Sequence, residues 1–195
     1  MNRSGWMALA LAVGLSGCGA PDTTQEAGNE AVGSPDNGMA SNDIGDSGTA
    51  RQAVATLQTA EGAAAGTATA TAGEGGIMLS LSVEGLPPGQ HGAHVHMTGQ
   101  CDAPGFESAG GHWNPAERQH GLENPQGQHA GDMPNLVVGE DGRGSMEYQL
   151  VGGTLEGLSD DDGSAMVIHA SADDQRTDPS GNSGDRIACG VFAAG

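Results

Sequence analysis

All seven histidines of the chain fall between residues 91 and 169, and six of them stand where a metal could gather them. His94 and His96 are two apart in a run that reads as a strand, so both imidazoles project from one face while Val95 points to the other. His91, at odd spacing to them, does not share that face if the strand already begins there. His112, His120 and His129 lie with Asp132 in the segment 98–134, which shows no period of 2 or 3.6 and is interrupted by Gly110, Gly111, Gly121, Gly127 and Gly131. A structureless segment of 37 residues is uncommon inside a domain and is usually functional. Three imidazoles and one carboxylate form a closed tetrahedral set suited to structural zinc, which supplies ordering energy that the segment's own apolar residues cannot. His169 ends the run Met166-Val167-Ile168 and is available to complete the first pair.

The rest of residues 51–195 reads as strands and turns. Alternation of small or branched residues marks 53–59, 66–71 and 77–83, and further short runs lie at 92–97, 136–138, 146–150, 166–169 and 187–192. About eight short strands with Gly and Pro punctuation predict an all-β domain, an antiparallel sandwich or barrel with long loops at 98–134 and 173–185. Composition alone argues against a large core: the 195 residues include 35 glycines and only 28 Leu, Ile, Val and Phe, with a formal charge of -19. That acidity disfavours nucleic acid and anionic lipid headgroups as direct partners.

Residues 1–18 read as an export signal. Arg3 precedes an apolar run from Trp6 to Leu15, too short to span a bilayer but suited to the centre of a signal peptide. Leu15-Ser16-Gly17-Cys18 resembles the lipobox of bacterial lipoproteins, which implies lipidation of Cys18 and attachment to a membrane of the cell envelope through that anchor only. Residues 19–50 read as a flexible acidic tether, and 51–195 as the folded domain, with 19 acids and five arginines.

The segments HGAHVH, SAGGHWNP, HGLENPQGQHAGDMPN, VIHASADD and GNSGDRIACGV resemble, in order and spacing, the signatures of copper-zinc superoxide dismutases, over residues 53–193. The resemblance implies a Greek-key β-sandwich or flattened barrel, and dismutation of superoxide, a small-molecule substrate, to oxygen and hydrogen peroxide. It implies His94, His96, His112 and His169 as copper ligands and His112, His120, His129 and Asp132 as zinc ligands, with one copper and one zinc per chain. His112 then bridges the metals; the resemblance further implies that the bridge opens on copper reduction and that His112 takes up a proton. Asp173 matches an aspartate that links ligands of the two metals through hydrogen bonds, and His91 a structural histidine. A homodimer is compatible with the resemblance, which fixes no single interface.

By the same resemblance Arg186, in GNSGDRIACG, attracts and orients the superoxide anion beside copper. With Cys18 lipidated, Cys101 and Cys189 remain to form a disulfide, one in the long loop and one in the last strand. The chain also departs from its relatives. It contains no Lys, and the 173–185 loop has only Arg176 among several aspartates, so the lysine-assisted steering of many animal members is not expected. Trp113 takes a place more often held by Phe or Tyr, and its bulk suits packing under the metal loop.

Overall fold

The computed structural model describes residues 52–195. The expected signal segment with Cys18, and the tether 19–50, lie outside the described residues. Alternation dictates the first three strands. β1 (Gln52–Thr59) turns Ala53, Ala55 and Leu57 inward, and β3 (Gly76–Val83) turns in Ile77, Leu79, Leu81 and Val83. Between them β2 (Ala64–Gly73) contributes only Ala65, Ala68 and Ala70, so the large side chains of β3 fill the volume that the alanines leave. The inward phase of β2 slips by one residue at Gly66, opposite the register shift between Leu57 and Gln58. Gly66 has φ of +138°, and a Cβ there would lie 2.1 Å from the Ser82 carbonyl oxygen, so this bulge requires glycine.

The remaining strands are β4 (Gly89–His91), β5 (Ala93–His96), β6 (Leu136–Val138), β7 (Gly144–Leu150), β8 (Ala165–His169) and β9 (Arg186–Ala194). Seven strands form one curled antiparallel sheet in the order β5-β8-β9-β1-β2-β3-β7, and β4 pairs with β6 in a small second sheet. β4 runs through Gly92 into β5 at one edge of the large sheet, and a short turn joins β6 to β7 at the other. The chain therefore crosses from β3 to the β5 edge, returns to β7 beside β3, and crosses again to β8, a Greek-key path that wraps the sheet around its core. The core holds Leu57, Leu79, Val95, Leu136, Met166 and Ile168 among others. A single helical turn, α1 (Leu155–Leu158), is capped by Thr154 Oγ1, which accepts the Gly157 N–H at 3.2 Å, and buries Leu155 and Leu158.

β5 and β8 are buried on both faces. Their inner face enters the main core, while the outer face carries Ala165 and Val167, which pack with Phe106, Ala109 and Cys189 in a smaller cluster. The 98–134 segment covers that outer face. It is tied down by the Cys101–Cys189 disulfide and by backbone bonds to the free edge of β5: Val95 N–H donates to Gly131 O at 3.0 Å, Trp113 N–H to Val95 O at 2.8 Å and Met97 N–H to Gly111 O at 2.9 Å. A Cβ on Gly131 would lie 2.2 Å from the Val95 carbonyl oxygen, so only glycine permits this approach. The pairing sets His112 opposite His96 and Asp132 opposite His94.

Candidate metal centre

Strand geometry and loop docking together place six histidines and two aspartates in one buried cluster. His94 and His96 leave the same face of β5, His169 ends β8, and His112 comes in on the loop. Ring nitrogens of these four residues lie within 4.8 Å of one another. His112, His120, His129 and Asp132 form a second group of the same compactness, with His112 common to both.

Hydrogen bonding fixes which nitrogen each ring offers. His94 Nε2–H donates to Asp173 Oδ2 at 2.6 Å, His96 Nδ1–H to the Gly110 carbonyl at 2.9 Å and His169 Nδ1–H to the Gly184 carbonyl at 3.2 Å. The opposite nitrogens, His94 Nδ1, His96 Nε2 and His169 Nε2, are buried and have no hydrogen-bond partner, and the same holds for His112 Nε2. Four buried acceptor nitrogens without a donor are costly unless a cation takes their lone pairs, and an all-imidazole set suits copper in either oxidation state. The chain thus presents a donor set that fits the first metal.

The second group converges on one oxygen. Asp132 Oδ1 lies 3.0 Å from His112 Nδ1, 2.9 Å from His120 Nδ1 and 3.3 Å from His129 Nδ1. A tetrahedron with zinc bonds of about 2.0 Å has edges of about 3.3 Å, so these spacings suit four ligands about a zinc ion. His129 Nδ1 also approaches His112 Nδ1 to 3.4 Å, a contact between two acceptor-capable atoms that a shared cation would reconcile. The other oxygen of Asp132 is held by the backbone N–H groups of Gly121 and His129, at 2.8 and 3.0 Å, which fixes the carboxylate's orientation.

Asp173 joins the two groups. Its Oδ2 accepts from His94, and its carboxylate stands 3.1 Å from His120 Nε2. Asn135 clamps its backbone from both sides: Asp173 N–H donates to Asn135 Oδ1 at 2.7 Å and Asn135 Nδ2 to Asp173 O at 2.8 Å. Neighbouring Asp174 instead caps the backbone of Arg176 and Thr177 at the surface, so contacts rather than sequence distinguish the pair. His91 lies outside both groups, with Nδ1 at 2.8 Å from the His169 carbonyl and Nε2 at 2.9 Å from that of Pro87, and so braces β4 against the end of β8.

The electrostatics follow from burial. Desolvation lowers His94 to about 3 and His169 to about 4, and holds His96 well below the ordinary histidine range. Neutral imidazoles are what a metal requires. At His120 desolvation acts the same way, but the hydrogen bonds and charges of Asp132 and Asp173 outweigh it and raise the group to about 9. Asp132 and Asp173 are driven well below the usual carboxylate range by their histidine contacts, against the desolvation that opposes it.

His112, His169 and Arg186 line a cavity of about 690 Å³. The Arg186 guanidinium donates to the Phe106 carbonyl at 2.6 Å and to the Gly110 carbonyl at 2.7 Å, and not to the adjacent Asp185. Arg176, in contrast, is engaged by Glu123 through both Nε and Nη2. The structure also brings Arg118, Asp160 and Asp162 to the cavity, three exposed loop residues whose place no periodicity or spacing discloses. Trp113 is buried, with its ring against Gly153 and Gly157.

Comparison with known proteins matches this arrangement to one family. The model of the copper/zinc superoxide dismutase family matches residues 64–192. A Cu-Zn superoxide dismutase of Aquifex aeolicus is 42% identical over 149 residues, 72% of this chain and 86% of the relative. That of Caulobacter vibrioides is 41% identical over 147 residues, 72% of this chain and 84% of the relative. The crystal structure of a superoxide dismutase-like protein from Bacillus subtilis has a TM-score of 0.68 and 42% identity, covering 72% of this chain and 97% of that one. The matched segment contains both histidine groups, and the chain belongs to the copper/zinc superoxide dismutase family, oxidoreductases that use both metals.

Proposed function

We propose that the chain dismutes superoxide at a copper held by His94, His96, His112 and His169, beside a zinc held by His112, His120, His129 and Asp132. The observation that carries this reading is the set of four buried, partnerless imidazole nitrogens facing one another. Copper supplies one-electron chemistry by alternating between two oxidation states, so that two superoxide ions and two protons yield one oxygen and one hydrogen peroxide. The protein's own residues supply the rest. His112 offers Nε2 to one group and Nδ1 to the other, and Nε2 is the atom at which a proton can be held for the peroxide product. Asp132 fixes His112 from the zinc side, and Asp173 orients His94 and His120 together. Arg186, anchored by two loop carbonyls, leaves its positive charge to attract the anion into the cavity.

The cellular setting belongs to the same proposal. A lipidated Cys18 would tether the enzyme to a membrane of the bacterial envelope, facing the periplasm or exterior, with 19–50 as spacer and 51–195 as the catalytic domain. There it would protect the envelope from superoxide. The Cys101–Cys189 disulfide supports an oxidising compartment.

Metal content and superoxide dismutation of the purified chain test the enzyme reading, alongside His169→Ala and Arg186→Ala. About one copper and one zinc per chain with rapid dismutation is expected. His169→Ala should lose copper and keep zinc, and Arg186→Ala should keep both metals while its rate falls roughly tenfold. Full metal content without dismutation would point instead to a metal-buffering protein of the same fold. Radiolabelled palmitate incorporation that depends on Cys18 tests the anchor, and its absence would remove that part.

A further inference from the structure

Four arginines fall among the described residues, and they divide cleanly. Arg143 pairs with Glu84 at 3.2 Å and Arg176 pairs with Glu123, both on the surface. Arg118 and Arg186 have no carboxylate within ion-pair distance among the described residues, and both line the cavity that holds His112 and His169. In a chain without lysine and with a formal charge of -19, the two arginines that lack an ion-pair partner among the described residues thus meet in one place. Arg118 is also held there by construction. Asn114 Oδ1 accepts the Arg118 N–H at 2.9 Å, Asn114 Nδ2 donates to the Arg118 carbonyl at 2.8 Å, and the guanidinium donates to Gly127 O at 3.3 Å.

We propose that Arg118 is a second cationic guide for the anionic substrate, a positioning residue that works through the field in the cavity and not by touching the reacting atoms. The proposal rests on the superoxide reading above. Three carboxylates, Asp160, Asp162 and Asp178, line the same cavity, so Arg118 and Arg186 together leave its ionised rim one charge short of neutral. Removal of Arg118 doubles that deficit. An anion approaching such a rim feels weak net repulsion, and the role of Arg118 is to keep it weak. A unit charge about 10 Å away in water changes the local concentration of a monovalent anion about twofold at low ionic strength. At 0.15 M salt, with a screening length of about 8 Å, most of that effect disappears.

The test uses the copper- and zinc-loaded chain and three variants: Arg118→Gln, Arg118→Lys and, as a control away from the cavity, Arg143→Gln. Two readouts are taken from about 10 to 200 mM ionic strength, the second-order rate constant for superoxide decay and the association constant for azide, followed by copper absorption. Arg118→Gln should lower both about two- to threefold at the low end and converge on the parent protein at the high end. Arg118→Lys should restore both, and Arg143→Gln should change neither. Equal azide affinities of the parent and Arg118→Gln across the salt range would overturn the proposal, whatever the activity. Azide affinities that shift as expected, in a protein that dismutes nothing, would uphold anion guidance and overturn the superoxide reading alone.

Discussion

Asp173 and His94 share a hydrogen bond of 2.6 Å between two fully buried side chains, and the same carboxylate lies 3.1 Å from His120. One aspartate thus orients a ring from each histidine group. Replacement by Asn keeps the shape and removes the charge that both N–H groups point to. Asp173→Asn should lower zinc affinity by about 10- to 100-fold, measured by competition with a chelator, while the fold survives. Zinc retention equal to that of the parent would show that the link is dispensable.

Acid should destabilise the metal-free protein in a particular window. His94 at about 3 and His169 at about 4 are neutral in the folded state and protonate near 6.5 when unfolded, so the unfolded chain binds more protons below that pH. Stability contributed by these groups is present above 6.5 and falls as pH drops toward 4. His120, raised to about 9, has the opposite sign: its contribution is complete below 6.5 and is lost as pH climbs through 9. Chelator-treated protein should therefore be most stable near neutrality, and about 2 to 4 kcal/mol less stable at pH 5 than at pH 7 by urea unfolding. A flat profile between those values would contradict the buried neutral state of the histidines.

The disulfide closes a loop across a sequence separation of 88 residues. In the chain-entropy model its loss destabilises the domain by about 4 to 5 kcal/mol, less any compensation from residual structure in the unfolded state. The Cys101→Ser, Cys189→Ser double variant should unfold at correspondingly lower denaturant and be cleaved by protease within 98–111, where Phe106 and Gly110 hold Arg186. Unchanged cleavage there would mean that the backbone bonds to β5 suffice.

Trp113 follows His112 directly, and its ring fills the space above Gly153. A Cβ on Gly153 would lie 2.1 Å from Trp113 Cη2. Gly153→Ala should therefore push the indole aside, at a cost of about 1 to 3 kcal/mol in thermal or urea unfolding. It should also speed zinc release, because the displaced residue adjoins a ligand of both groups. Normal zinc release in a destabilised variant would separate packing from metal retention.

Much of this could be read from residue pattern. Period-2 alternation marks β1, β2 and β3, because inward positions at Leu57 and Leu79 face a core while their neighbours do not, and further short runs mark five more of the nine strands among the described residues. β4 is Gly89-Gln90-His91, with no apolar residue to mark it, and α1 is one turn, fixed by the Thr154 cap and tertiary packing. Ala65 was outside the expected strand because the bulge at Gly66 reverses its phase. The histidine groups were legible from residue type and order. The nitrogen each ring presents was not, since it depends on Gly110, Gly184 and Asp173, which are 14, 15 and 79 residues away from their partners. Arg118, Asp160 and Asp162 look like ordinary exposed loop residues until the folded chain sets them around one cavity.

The Gly110 carbonyl accepts from His96 Nδ1 at 2.9 Å and from Arg186 Nη2 at 2.7 Å. A single peptide oxygen is thus a common register mark for an imidazole and a guanidinium supplied by strands at different places in the chain. Any rotation of that peptide disturbs both partners at once, so the spacing of ring and cation is inherited as one unit. Redesign of this loop must treat the 110–111 peptide as a fixed point, because a shift there moves the hydrogen-bond acceptor of both partners.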